Sequence, residues 1–282
     1  MSNIKIKDWG GRLGNNIIQL CNALFIAFYK KYNLQIPNHK FFKNKIININ
    51  DNNLDQTHIT KYCKIEKYIF LKYIEIDMNI IFKENQKEVL QCLKDNFIMN
   101  VPFKQNNDLV IHIRSGDKFF NGEFKNSDNL FPPLYYYETI LNNHNFDNVS
   151  IICEDNRSPI VKELCNKYKY INFKLQSLEQ DLFLLLSAKN VVFTMGTFLN
   201  VLIYSNNVKN IFFPKYNICD TFLNCNVFTP IQGYEFNYDI YTVNKLNIHI
   251  HKHFIKLLDY PQKMYQSKNK VECLLHYKPD VV

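Results

Sequence analysis

The chain has 282 residues, 46% of them hydrophobic and 15% aromatic, which excludes a globally disordered polypeptide and leaves room for two domains of ordinary size. Lysine plus arginine number 34 against 26 for aspartate plus glutamate, an excess that favours an anionic partner such as nucleic acid, a membrane surface or a phosphorylated small molecule. The basic residues form no run of five or six, which argues against a nucleic-acid-binding tail, and the abundance of Lys, Asn and Ile, as in an AT-rich coding sequence, lowers the weight of the charge.

The eight cysteines are Cys21, Cys63, Cys92, Cys153, Cys165, Cys219, Cys225 and Cys273. None forms a CxxC pair, and the nearest two, Cys219 and Cys225, have no His at zinc spacing. Several lie within apolar runs, so they read as reduced, buried thiols, with a disulfide framework as the alternative. The N-terminus, MSNIKIKDWGG, lacks the apolar core of a signal peptide. No run reaches the ~18 apolar residues of a membrane span. The expectation is a cytoplasmic protein without a membrane anchor.

In chain order, Ile4 and Ile6 alternate with lysines as in a half-buried strand. Trp9-Gly10-Gly11-Arg12-Leu13-Gly14-Asn15-Asn16 follows, and Ile17 to Tyr32 reads as a helix with Ile17, Leu20, Cys21, Leu24 and Phe28 on one face. Glycines let backbone N–H groups approach an anion, and a helix N-terminus adds its dipole. The loop matches neither GxGxxG nor a Walker A motif. A tight turn without a ligand is the alternative. Leu34–Pro37 reads as a second strand, 38–60 as loops with one short strand, Lys64–Phe82 as a short helix plus a strand, and Ile80–Met99 as a helix. Pro102 and the polar stretch Lys104–Asp108 mark a domain boundary.

Leu109–Ile113 is a β-branched run that reads as a buried strand, stopped by Ser115-Gly116-Asp117. His112, Arg114, Asp117 and Lys118 thus gather at a strand's C-terminal end, where open α/β sheets bind ligands. Arg114 carries a planar, permanently charged fork suited to a phosphate. A surface salt bridge at a strand end is the alternative. Phe119–Leu130 reads as a polar, aromatic excursion long enough to cover a site. Leu134–Leu141 is a helix behind Pro132-Pro133, Val149–Cys153 a strand ending at Glu154-Asp155-Asn156, Pro159–Tyr168 a helix and Ile171–Lys174 a short strand. Ser177 and Gln180 form a capping-box pattern ahead of the helix Asp181–Ala188. Asn190–Thr194 is a strand, Met195-Gly196-Thr197 a turn and Phe198–Ser205 a helix; with the Thr194 and Thr197 hydroxyls beside the helix N–H groups this is a second candidate anion cradle, an ordinary strand-to-helix connection being the alternative. Ile211–Phe213 reads as the last strand and Leu246–Tyr260 as a terminal helix, with Tyr265–Val282 frayed. His249, His251 and His253 alternate without an acidic partner, so no metal site is expected.

Three stretches match one family in order. GGRLGNNIIQLCNALFIA resembles the N-terminal signature of α-1,2-fucosyltransferases (glycosyltransferase family eleven), HIRSGD resembles their H-x-R-x-x-D motif, and DLFLLLSAKNVVFTMGTF their third motif. PPLYYY resembles the proline-plus-tyrosine helix start between them. The matches span roughly residues 4–206 with gaps. Asn16 stands where the family commonly has Gln, Ser115 replaces a second arginine, and Met195-Gly196-Thr197 replaces a serine-rich turn.

The resemblance implies an α/β fold of GT-B type, two Rossmann-like domains with parallel sheets facing across a cleft. Residues 1–107 would form the acceptor-side domain, 108–245 the nucleotide-sugar domain and 246–282 a helical tail. It implies an inverting transferase moving L-fucose from GDP-fucose to a glycan hydroxyl, the donor being substrate and no metal required. Arg114 would grip the β-phosphate, with His112 and Asp181 near the nucleoside. Thr197 and Gly196 would hold the diphosphate, closed on by Gly11, Arg12, Gly14 and Asn15. The acceptor needs at most one base: Asp8, Asp117, Glu123 and Glu154 are candidates, with Asp117 and Glu123 joining Arg114 as the expected catalytic set and Lys118 beside Glu123. The alternatives are a UDP-sugar donor, such as UDP-xylose, or an inactive glycan- or nucleotide-binding module. Retention of Arg114, both glycine turns and Asp181 argues against the last. A nucleic-acid binder would need Lys/Arg clustered with aromatics on one face, a pattern the sequence lacks.

Overall fold

The computed structural model describes residues 3–6, 8–49, 78–116, 119–120, 123–124, 132–194, 197–212 and 249–250. The described residues fall into two compact units, the first ending at Asn100 and the second starting at Val101.

In the first unit, β1 (Asn3–Lys5) leads through α1 (Leu13–Lys30) to β2 (Asn33–Gln35), which lies parallel to β1. A two-residue strand, β3 (Ile46–Ile47), adds antiparallel to β2, so this sheet is mixed rather than parallel. Helix α2 (Met78–Asn96) packs on α1. Ile17, Leu20, Cys21 and Leu24 of α1 and Val89 and Leu93 of α2 are fully buried. Helix α1 begins at Leu13, not Ile17: Arg12 is its extended N-cap, and Asn16 N–H bonds the Arg12 carbonyl at 3.0 Å. Gly14-Asn15-Asn16 read as a turn because all three are weak helix formers; burial of Leu13 and Asn16 draws them into the first turn. The helix stops at Lys31, in the left-handed conformation (φ 54°), with Lys31 and Tyr32 N–H groups bonding the Phe28 and Ala27 carbonyls.

The second unit is an α/β layer structure of Rossmann-like kind. Its strands are β4 (Leu109–Ile113), β7 (Val149–Cys153), β8 (Ile171–Phe173), β9 (Asn190–Phe193), β10 (Asn210–Phe212) and β11 (His249–Ile250). All are parallel, in the order β11-β10-β9-β4-β7-β8. Counted in chain order this reads 6-5-4-1-2-3, the order of doubly wound nucleotide-binding sheets. The connections are α3 (Leu134–Asn143), α4 (Pro159–Lys167), α5 (Leu178–Ser187) and a 3-10 helix, Thr197–Tyr204. Between β4 and α3 a hairpin forms from β5 (Phe119–Phe120) and β6 (Glu123–Phe124). The rest of the predicted excursion lies outside the described residues.

One expectation is refined here and one fails. The helix expected at Phe198–Ser205 is present at Thr197–Tyr204, but wound as a 3-10 helix. Its 3-10 winding ends with Ser205 N–H on the Leu202 carbonyl. That winding rises about 2.0 Å per residue against 1.5 Å in an α-helix, so few residues return the chain along the sheet. Strand β10 is not the last, since β11 pairs beside it within the expected helix Leu246–Tyr260. The alternation of Ile248 and Ile250 with His249 and His251 is a strand period. The remainder of that helix, the predicted strand and helix of 64–77, and Tyr265–Val282 lie outside the described residues.

The N-terminal ends of the strands are closed by amides. Asn190 Nδ2 donates to Asn107 Oδ1 at 2.8 Å, and Asn210 Nδ2 to Asn190 Oδ1 at 2.6 Å. Asn207 receives Lys104 N–H at 2.8 Å and donates to the Leu186 carbonyl at 3.0 Å. The C-terminal ends are organised differently.

Candidate functional site

The order reverses between β4 and β9, and a crevice at that switch point, at the strands' C-terminal ends, is where such sheets hold ligands. Arg114 leaves β4 there, half-buried. Its backbone N–H donates to Thr194 Oγ1 at 3.3 Å, joining the exits of β4 and β9. Thr194 is fully buried, so its hydroxyl positions Arg114 rather than meeting a ligand.

His112, one pleat earlier on β4, lies with its ring 4.7 Å from Phe193 and 5.1 Å from Phe198. Burial, and then the Arg114 charge, push its pKa down to about 3, so it is neutral. Among the described residues its buried Nδ1 has no hydrogen-bond partner. Such an orphan costs on the order of 1–3 kcal/mol and is uncommon in a finished core.

The turn after Arg114 is fixed from β7. Ser115 is fully buried and its hydroxyl donates to the Asp155 carboxylate. Gly116 has φ +66°, which glycine alone adopts cheaply, and a side chain there would meet the Glu154 carboxylate. Asp155 also receives Arg157 N–H at 3.0 Å and Arg157 Nε at 2.7 Å, and it forms an ion pair with the same guanidinium. Burial works against its charge, but hydrogen bonds from the side chains of Arg157 and Ser115 and from the N–H groups of Arg157 and Gly116 outweigh that, holding it at about 2. Ser158, the N-cap of α4, is buried, and its Oγ has no partner among the described residues.

Asp181 sits in the first turn of α5, which the Ser177–Gln180 capping box sets in place. Gln176 Nε2 donates to Asp181 Oδ1 at 2.8 Å. Burial raises the carboxyl to about 6 against that hydrogen bond. Its charge reaches Cys153 at the end of β7, whose thiol burial pushes up to about 12. His112, Arg114, Ser115, Gly116, Glu154, Asp155, Asp181 and Thr194 therefore share one end of one sheet. Thr197 opens the 3-10 helix and Glu123 lies in β6; Asp117, Lys118 and Gly196 lie outside the described residues.

Gly11, Arg12, Gly14 and Asn15 belong to the first unit. Their loop is held from α1. Gly10 N–H donates to Gln19 Oε1 at 2.9 Å, Asn16 Nδ2 to the Gly10 carbonyl at 3.0 Å, and Gln19 Nε2 to the Asp8 carbonyl at 3.3 Å. Gly11 takes φ 72° and, with Arg12, is exposed, while Gly14 and Asn15 stand in the first helical turn. No side chain caps that helix. Behind the loop, His39 Nδ1 accepts Phe41 N–H at 3.1 Å, which leaves Nε2–H to donate to Asn16 Oδ1 at 3.2 Å. Burial lowers His39 to about 4, so this neutral tautomer persists at pH 7.

Sequence reasoning missed Ser115, Asn16, Gln19 and His39 as positioning groups, and it gave the Thr194 hydroxyl to the anion cradle, whereas that hydroxyl receives Arg114 N–H. The available signal was polarity out of place: Asn16 and Gln19 are amides three apart, next to Ile17, Leu20 and Cys21 of the apolar face. Among the described residues the cysteines Cys21, Cys92, Cys153 and Cys165 are free thiols, no group of His, Cys, Asp or Glu has metal-site grouping, and no helix is long and apolar enough to cross a membrane. A scan against protein-family models finds no match to this chain, and a search of curated proteins finds no match either.

Proposed function

We propose that the chain is an inverting glycosyltransferase, moving a sugar from a nucleotide-diphosphate donor, GDP-fucose by preference, to a hydroxyl of a glycan acceptor. The observation that carries this is Arg114 at the switch point of a doubly wound parallel sheet, braced by Thr194 on one side and by the Ser115–Asp155 link on the other. A sugar departing from a diphosphate leaves negative charge on the phosphate and positive charge on its own ring. A preorganised guanidinium stabilises the former without reorganising as the reaction proceeds, so the reading needs no metal. Inversion follows from direct attack by the acceptor hydroxyl, which requires one base. Glu154, whose carboxylate lies against Gly116 in the turn that follows Arg114, is the candidate base among the described residues at this end of the sheet.

The donor preference rests on Asp181. At pH 7 a carboxyl titrating near 6 is mostly ionised, and a desolvated carboxylate is the natural acceptor for the adjacent N1–H and N2–H donors of guanine. Uracil offers a single ring N–H between two acceptors. The finer parts of the proposal are a GT-B arrangement with a donor-binding second unit and an acceptor-binding first unit, and a cytoplasmic setting.

Release of GDP from GDP-fucose, measured with a mixed pool of oligosaccharide acceptors, tests the assignment. Arg114→Ala should lose about 10²–10³-fold in turnover while keeping the wild-type melting temperature. Unchanged turnover in a folded Arg114→Ala variant contradicts it.

A further inference from the structure

The connection between β2 and β3 in the first unit, Pro37–Lys45, encloses an open cleft of about 350 Å³. Its lining includes Asn38, Lys40, Phe42, Lys43, Asn44 and Lys45. The stretch PNHKFFKNK carries three lysines and no acidic residue. Among the described residues, Lys43 and Lys45 have no carboxylate partner. Like charges so close repel, and an ordinary surface loop would intersperse acids.

The frame holding these lysines is rigid. Lys43 N–H bonds the Asn96 carbonyl at 2.8 Å, Ile98 N–H the Phe41 carbonyl at 3.1 Å, and Ile36 N–H the Lys45 carbonyl at 2.8 Å. Asn44 Nδ2 donates to Asn96 Oδ1 at 2.8 Å. Beneath, His39 stacks on Phe42 at 4.3 Å, and Trp9 sits 5.5 Å from Phe42 with its Nε1–H on the Pro37 and Asn38 carbonyls. His39 has both ring nitrogens committed and stays neutral, so the charge of the cleft is that of its lysines. The volume is that of a small-molecule pocket, and its lining sets two rings, His39 and Phe42, among lysines and asparagines, as suits a sugar rather than an apolar ligand.

We infer that this cleft binds an acidic saccharide, Lys43 and Lys45 engaging the oxyanion. The inference rests on the transferase reading only in making that saccharide the acceptor; the binding itself does not depend on it. Calorimetry on the full chain, without donor, uses trigalacturonate, neutral galactotriose and inorganic phosphate as probes. Trigalacturonate should bind at least about tenfold more tightly than galactotriose, weaken with added salt, and lose at least about tenfold in Lys43→Ala/Lys45→Ala, while Lys43→Arg/Lys45→Arg retains it. These lysines are exposed, so the alanine pair should melt with the wild type and keep its nucleotide-induced stabilisation. Trigalacturonate binding no tighter than galactotriose, or equally by the alanine pair, overturns the site. Phosphate alone binding as tightly as trigalacturonate overturns the saccharide class. Nucleotide-induced stabilisation is read separately, so its absence bears on the transferase reading and not on this one.

Discussion

On the proposed function, Asp181 trades stability for binding. Its carboxyl is raised to about 6 by burial, against an ordinary value near 3.9. The native state therefore holds a proton that the unfolded chain has released, between roughly pH 4 and 6. Its contribution to stability is full below about pH 4 and is lost as pH rises through 6. Asp181→Asn, which can still receive Gln176 Nε2 on its oxygen, should be about 1–2 kcal/mol more stable than wild type at pH 7.5, the full shift being discounted for partial exposure. That gain should vanish towards pH 4. GDP affinity should move oppositely, falling below pH 6 in the wild type and lying weak at every pH in the variant. Melting curves and GDP titrations from pH 4 to 8 check both limbs. The sequence showed Asp181 as an acid at the head of a helix, and the resemblance put it near the nucleoside; its desolvation depends on packing that no local pattern reports. Ser115 was legible only as a departure from H-x-R-R-x-D. Its burial gives the departure a reason, for the side chain at 115 spans to Asp155 and has no solvent-facing room for an arginine.

At the scale of elements, legibility followed how local the determinants were. Strands β4 and β7 matched the sequence reading residue for residue, because an apolar β-branched run between polar turns has few other uses. Helix α5 was marked at its start by the capping box, which forms as read: Gln180 N–H on Ser177 Oγ at 3.4 Å, Ser177 N–H on Gln180 Oε1 at 3.0 Å. Ser177→Ala should cost about 1 kcal/mol, a drop of a few degrees in the melting temperature, and should weaken nucleotide binding through Asp181; a variant that melts and binds as wild type contradicts this role. The start of α1 was misread by four residues because its first turn is held by burial and by Asn16 and Gln19 reaching back to Gly10, which are tertiary contacts. The helix after β9 was legible as a helix, but its 3-10 winding was not, for a related reason. Its apolar content fits either winding, and the distance to be spanned chooses between them.

For the whole molecule, the alternation of strands and helices in the second half made an α/β sheet legible, but the strand order was not. Nothing local in Val149–Cys153 or Asn190–Phe193 says that they flank β4 on opposite sides. That placement turns a strand-end arginine into a switch-point arginine, and on it the account depends. In the first unit, a mixed three-stranded sheet stands where a parallel one was expected. The account's central claim is that the second unit holds a nucleoside diphosphate. Thermal melting with GDP, UDP, GDP-fucose and UDP-sugars, each with and without EDTA, tests it most directly. At 100 times the dissociation constant a ligand of the native state adds about 2.7 kcal/mol, or roughly 5–10 °C for a domain of this size. The account predicts that rise with GDP and GDP-fucose, unchanged by EDTA and absent in Arg114→Ala. A rise with UDP alone would keep the site and replace the donor; no rise with any nucleotide would contradict the claim.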